Sequence, residues 1–172
     1  MESYIKYVDP IELQFNLITN INNISPKVLR ADKVGFNEFK MESEQYQYTL
    51  KEFAAIYAND SNVMLTIVDK IHSLIDKLYE QGIFHGDLHY ENVVVNPDLE
   101  VRIIDYGLSL FHQDILTGRS RNFMGYQAYL EIINDYLDDH NISPTTIIKK
   151  EHFPIIRELE KEYFETFVRY HR

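Results

Sequence analysis

The chain has 172 residues, enough for one domain with a real core, and 45% of them are hydrophobic. Its 17 lysines and arginines stand against 27 aspartates and glutamates, and the formal net charge of −10 argues against nonspecific attraction to nucleic acid or anionic lipid. Cysteine is absent, which excludes disulfides and thiolate chemistry; with no basic start leading into an apolar run and no stretch of about 18 apolar residues, the expectation is a soluble cytoplasmic protein.

Taken in order, Asp9-Pro10 is a helix start, and Ile11, Leu13, Phe15, Leu17, Ile18 and Ile21 supply an apolar face through residue 22, where Asn22-Asn23 and Ser25-Pro26 end it. Residues 27–31 and 34–41 read as two strands around Asp32-Lys33. The polar run from Glu42 to Tyr48 reads as a linker. Thr49-Leu50-Lys51-Glu52 has the capping-box pattern and opens a short helix through Tyr57. Asp60-Ser61 opens a longer one, with Met64, Ile67, Val68, Ile71, Leu74, Ile75 and Leu78 at helical spacing and Gly82 as its stop. His72 on that helix reads as a packing or surface residue.

Residues 83–110 carry the polar side chains that chemistry can use together. Val93-Val94-Val95 and residues 100–104 are short β-branched runs flanking Asn96-Pro97-Asp98, a hairpin signature. A hairpin brings its outer ends together, so Asn92 and Asp105 are expected side by side, with Asp87 on the loop just before. Two adjacent oxygen-bearing side chains suit Mg²⁺, which is usually held by one or two carboxylates plus substrate phosphates. A third acid nearby can accept the proton of an attacking hydroxyl. The alternation His85, Asp87, His89 also allows an H-x-D-x-H metal site, though no second ligand cluster accompanies it. Beyond Leu110, residues 112–126 read as an irregular loop with Arg119 and Arg121, residues 126–139 as a helix, and residues 154–170 as a final helix.

His85-Gly86-Asp87-Leu88-His89-Tyr90-Glu91-Asn92 resembles H-R-D-L-x-x-x-N, and Asp105-Tyr106-Gly107 resembles D-F-G, at the separation usual in the protein-kinase-like superfamily. The resemblance implies Asp87 as catalytic base and Asn92 and Asp105 as Mg²⁺ ligands beside ATP. It implies Glu12 as the helix C glutamate, Met41 and Glu42 as gatekeeper and first hinge residue against adenine, and His89 at a cofactor-facing position where serine/threonine kinases carry lysine. Gly86 replaces an arginine that pairs with a phosphorylated activation loop, so that switch should be absent. The H-G-D-L-H form is more like aminoglycoside phosphotransferases, sugar kinases and RIO-type kinases. No A-P-E motif follows, and Asp135 reads as a counterpart of the helix F aspartate or as a surface acid.

The implied fold is α+β and protein-kinase-like: a truncated amino-terminal lobe of helix C plus about two strands (1–42), a hinge (43–48) and a mainly helical carboxy-terminal lobe (49–172). The superfamily normally places three strands before helix C, with a glycine-rich loop and a lysine that pairs with the glutamate. Here eleven residues precede Glu12. Lys6, in Tyr4-Ile5-Lys6, stands too close to Glu12 for the usual spacing. The expected function is ATP- and Mg²⁺-dependent phosphoryl transfer to a hydroxyl on a protein or a small molecule, as an atypical serine/threonine kinase. The alternatives are a pseudokinase or lobe mimic that binds a partner kinase, or a small-molecule kinase.

Overall fold

Asp9 caps the first helix as the sequence implies: its carboxylate accepts the Glu12 amide at 2.7 Å, and Pro10 occupies the first helical position, where a missing N–H costs nothing. A computed structural model of the chain describes residues 2–118, 123–139 and 141–170. Helix α1 (Pro10–Ile21) lies between strand β1 (Ser3–Val8) and the hairpin of β2 (Val28–Gly35) and β3 (Glu38–Glu44). The three strands form one antiparallel sheet in the order β1-β3-β2.

Three expectations for this region need correction. The hairpin turns at Phe36-Asn37, not at Asp32-Lys33, because Gly35 pairs with Glu38. Asp32 stays inside β2, opposite Lys40, on a face of the sheet that can carry charge. The strand β1 has no counterpart among the elements expected from sequence, since its hydrogen-bonding partner β3 lies far along the chain. The expected linker is also shorter than 43–48, because β3 runs to Glu44 and β4 (Tyr48–Thr49) begins soon after.

Register fixes which side chains meet. Tyr4 pairs with Ser43, Lys6 with Met41 and Val8 with Phe39, so these residues share the inner face. Val8, Leu13 and Met41 form a small buried cluster there, with Val28 and Phe39 against it. Ile5 pairs with Glu42 and Tyr7 with Lys40 on the outer face.

The rest of the chain is mainly helical. Helix α2 (Leu50–Tyr57) begins with the reciprocal Thr49–Glu52 capping box, and α3 (Ser61–Glu80) begins at an Asp60 cap. All seven stripe residues of α3 are buried, and Gly82 (φ +68°) ends the run in the left-handed conformation. The hairpin of β6 (Val93–Val95) and β7 (Val101–Ile103) pairs with β4, while β5 (Ile83–Phe84) pairs with β8 (Leu110–Phe111). Helices α4 (His112–Thr117), α5 (Phe123–Asp139) and α6 (Phe153–Tyr170) complete the chain. The irregular loop expected over 112–126 therefore contains a helical turn and a half, and α5 starts earlier than expected; Arg119 and Arg121 lie outside the described residues. The main core joins α3 to the hairpin, α2 and α6, with Phe15 and Ile24 from the amino-terminal region. Among the described residues, no helix is long and apolar enough to cross a membrane.

Candidate active site

The loop after β5 is built around one buried imidazole. His85 is 1% exposed; its Nδ1 accepts the Asp87 amide at 3.2 Å, so its Nε2 must carry the proton and donate to the Ile104 carbonyl at 2.8 Å. Burial lowers the pKa of this ring, against the opposing pull of the Ile104 carbonyl, and keeps it neutral. His85 thus ties the loop carrying Asp87 to the end of the hairpin carrying Asp105. It is a structural fastener, and the H-x-D-x-H metal reading loses its first ligand. Among the described residues, no group of three histidine or acid side chains is arranged to hold a metal without other ligands.

Gly86 adopts φ +89°, and a Cβ there would lie 2.4 Å from the Leu108 carbonyl oxygen. An arginine at this position is excluded by backbone conformation and by space together. Nearby, the Ser109 hydroxyl donates to the His85 carbonyl at 2.7 Å, locking the segment after Asp105 onto the loop before Asp87.

Asn92 is 6% exposed, and its Nδ2 reaches the Asp87 carbonyl at 2.8 Å and the Asp87 carboxylate at 3.3 Å. His89 Nε2 stands 3.1 Å from the same Nδ2 and 3.5 Å from Asp87 Oδ1. The Ile104 amide donates to the Asn92 carbonyl at 2.9 Å, extending the β6–β7 ladder to its open end. Asp105 follows at φ +65°, a left-handed conformation that aspartate tolerates better than most side chains.

The residue that sequence reasoning set aside is the one that joins the two regions. Lys6 Nζ lies 2.5 Å from Glu12 Oε1 and 3.3 Å from Asp105 Oδ1. The chain reverses at Asp9-Pro10, so β1 runs back past the first turn of α1 and a separation of six residues becomes a contact. Its sequence signal was the alternation Tyr4, Lys6, Val8, whose consequence depends on pairing with β3. Burial alone would lower the lysine's pKa, but the two carboxylates raise it overall. For Asp105 burial acts upward, and the Lys6 charge brings the carboxyl below its ordinary value. Glu12 is raised, because burial outweighs the help it receives from Lys6.

Lys6, Glu12, Asn16, Met41, Asn92 and Asp105 line one cavity of about 220 Å³. The structure therefore brings Glu12, Met41, Asn92 and Asp105 together, with Asp87 and His89 hydrogen-bonded at its edge. Glu42 differs: strand alternation turns it to the outer face, where it lines a separate pocket with Arg30, Asp32 and Lys40. Ser43, on the inner face, lines the cleft instead. Among other candidates, Asp135 is exposed, and His72 contacts the Lys161 carbonyl and Glu165 between α3 and α6, a packing role.

A lysine–glutamate pair touching the acid at the end of a hairpin, with an aspartate and an asparagine held on the preceding loop, is the arrangement that the kinase resemblance implies. The comparisons agree: the ABC1 atypical kinase-like domain matches residues 46–125. The chain is 26% identical over 163 residues to the serine/threonine-protein kinase PKH2 of Saccharomyces cerevisiae, covering 78% of this chain and 14% of that protein. It is 29% identical over 82 residues to 3-phosphoinositide-dependent protein kinase 1 of Rattus norvegicus, 47% of this chain and 15% of that one. A Dictyostelium discoideum protein named a probable inactive serine/threonine-protein kinase is 28% identical over 76 residues, 44% of this chain and 6% of its own length. These matches support a place for the chain in the protein-kinase-like superfamily.

Proposed function

We propose that the chain binds a magnesium nucleotide in the cleft between the β1-β3-β2 sheet and the β6–β7 hairpin and transfers a γ-phosphoryl group to a hydroxyl acceptor, as an atypical serine/threonine protein kinase. The observation that carries this reading is the contact of Lys6 with both Glu12 and Asp105. A buried or half-buried lysine that bridges two acids at the mouth of a cavity is poised to exchange one partner for phosphate oxygens. In this reading residues 1–44 are a reduced amino-terminal lobe, 45–47 the hinge region between β3 and β4, and 48–172 the carboxy-terminal lobe.

The donor set fits Mg²⁺. The side-chain hydrogen bonds of Asn92 to Asp87 run through Nδ2, leaving its Oδ1 as a donor atom, and Asp105 is held ionised by Lys6. Two oxygen donors from protein, with phosphates completing the shell, is the usual arrangement for this ion. Bound there, Mg²⁺ would neutralise charge on the phosphates. Asp87 takes the proton from the attacking hydroxyl as its oxygen bonds to the γ-phosphorus and the bond to the β–γ bridging oxygen breaks, releasing nucleoside diphosphate. Asn92 and His89 hold the Asp87 carboxylate in place.

A second reading is supported by one feature. Among the described residues no strand pairs with the outer edge of β1 and no glycine-rich loop covers the phosphate end of the cleft. In that reading the chain is an inactive kinase-like binding protein, or acts with a partner kinase that adds strands to the β1 edge. The Dictyostelium relative bears such a name.

Phosphate release and autophosphorylation of the purified chain, with and without Asp87→Asn, separate the two. Removing a positioned general base should lower turnover by about 10²–10⁴-fold while nucleotide binding persists. Binding without turnover in either form favours the second reading.

A further inference from the structure

The loop that carries Asp87 and Asn92 is held in two halves, by different means. His85 and Ser109 fasten the first half with hydrogen bonds. The second half is a turn: the Asn92 amide donates to the His89 carbonyl at 2.9 Å, which sets His89 and Asn92 at its ends and Tyr90 and Glu91 at its corners. Both ends meet Asp87, Asn92 through its Nδ2 and His89 through its Nε2. Tyr90 points to other partners.

The Tyr90 ring lies on that of Phe167, from the last turns of α6. Their centroids are 4.4 Å apart and their planes differ by 8°, a parallel stack between two segments far apart in the chain. Phe167 is buried in the main core with Phe164 and Val168, and Leu88 and Tyr90 pack against that core. Tyr163, one turn earlier on the same face of α6, is close enough to Tyr90 and Glu91 for both to add to the rise that burial causes in its pKa. Helix α6 is itself seated on α3, where Lys161 Nζ pairs with Asp76 Oδ1 at 2.6 Å. From α2, Lys51 Nζ stands 5.7 Å from the Tyr90 centroid and 3.5 Å from Glu91 Oε1. The motif spacing that singles out Asp87 and Asn92 leaves Tyr90 without a role. Yet a four-residue turn has few free dihedrals, so a ring clamped at its corner fixes where its two ends point.

We propose that Tyr90 is a positioning residue: its stack on Phe167 makes α6 the support that holds the 89–92 turn, and with it the Asn92 amide and the His89 ring, against Asp87. Tyr90 acts only through these neighbours. Its effect on turnover rests on the phosphotransfer reading above, while its effect on the loop rests on the contacts alone. A misplacement of about 1 Å at a reacting group can cost about 10²-fold in rate, so a support behind the loop can govern kcat.

The test compares the full chain with Tyr90→Phe, Tyr90→Ala, Phe167→Leu and the double variant of the last two, with urea midpoints to show that each is folded. Leucine at 167 keeps an apolar side chain in the core and removes only the ring. Tyr90→Ala should speed hydrogen exchange of the Glu91 and Asn92 amides by about 2- to 12-fold, the worth of one aromatic pair, and leave the α3 amides unchanged. Phe167→Leu should act on the same two amides, and the double variant should add nothing to the larger single effect. In Mg²⁺-dependent phosphate release, kcat should fall by up to about 10²-fold in Tyr90→Ala with the KM for ATP nearly unchanged, and Tyr90→Phe should restore it. Loop amides in Tyr90→Ala that exchange as in the wild type overturn the proposal, as do additive effects in the double variant. Equal acceleration in α3 overturns it too, since Tyr90 would then support the whole core and not the turn. Where Phe167→Leu fails to fold, the contrast of Tyr90→Ala with Tyr90→Phe decides. Absence of turnover in the wild type removes the phosphotransfer reading, and amide exchange then decides the proposal by itself.

Discussion

The helical region and the amino-terminal sheet face one another across the cleft, and they are held by different means. Around α3, Ile67 and Ile71 have no exposed surface, and the cluster they join extends through the hairpin to α6. Of the sheet's apolar side chains Val8 and Met41 are buried, joined by Leu13 from α1, while Tyr4, Ile5, Tyr7, Leu29 and Val34 remain exposed. One wall of the cleft is therefore a packed core and the other a thin sheet fastened through α1 and through the reach of Lys6 to Asp105. Local opening free energies follow apolar burial, so the sheet should open more readily than the helices. A wall that opens easily is also one that can admit and release a ligand.

Substitutions can break this contrast. Ile71→Ala removes a large side chain from the centre of the main core and should cost about 2–5 kcal/mol, read as a lower urea midpoint with the slope unchanged. Val8→Ala removes two carbons from the small cluster and should cost about 1.6 kcal/mol at roughly 0.8 kcal/mol per buried methylene. Its effect should be concentrated locally: amide exchange in β1 and β3 should accelerate while the α3 amides keep their protection. Equal protection of β1 and α3 in the unsubstituted chain would contradict the contrast.

Much of the helical wall was legible in the sequence because its signals are local. The α3 stripe, the Thr49 capping box, the Asp60 cap, Gly82 as the stop and the Asn96-Pro97-Asp98 turn each depend on residues within a few positions. The loop residues Asp87, Asn92 and Asp105 were singled out through motif spacing and the hairpin that joins them. The sheet was less legible because its structure is set by pairing between distant segments. Lys6 reaches Glu12 only because β1 doubles back onto α1, and Glu42 leaves the cleft only because the register with Ile5 turns it outward. The turn at Phe36-Asn37 was misplaced for a related reason: charged residues such as Asp32 usually mark turns, yet at this exposed face they lie within a strand.

A smaller effect sharpens the picture within the helical region. His112 stacks on Phe153 with centroids 4.4 Å apart, and burial lowers its pKa from 6.5 to about 4. The unfolded chain takes up this proton near pH 6.5 and the folded chain only near pH 4, so between those values the unfolded state binds more protons and stability falls as pH falls. His112→Phe removes that dependence. Urea midpoints measured across the window should decline less steeply for the variant than for the unsubstituted chain, and identical slopes would show that His112 does not contribute.

The central claim is that the two walls together make a metal-assisted nucleotide site with Lys6 and Asp105 at their junction. Asp105→Asn tests it most directly, because asparagine tolerates the φ of +65° and keeps the shape while removing the charge. Titration calorimetry with ATP, with and without Mg²⁺, should show binding by the unsubstituted chain that depends on Mg²⁺ and is largely lost in the folded Asp105→Asn variant. ATP binding that is indifferent to Mg²⁺, or equal in the two proteins, would contradict the account.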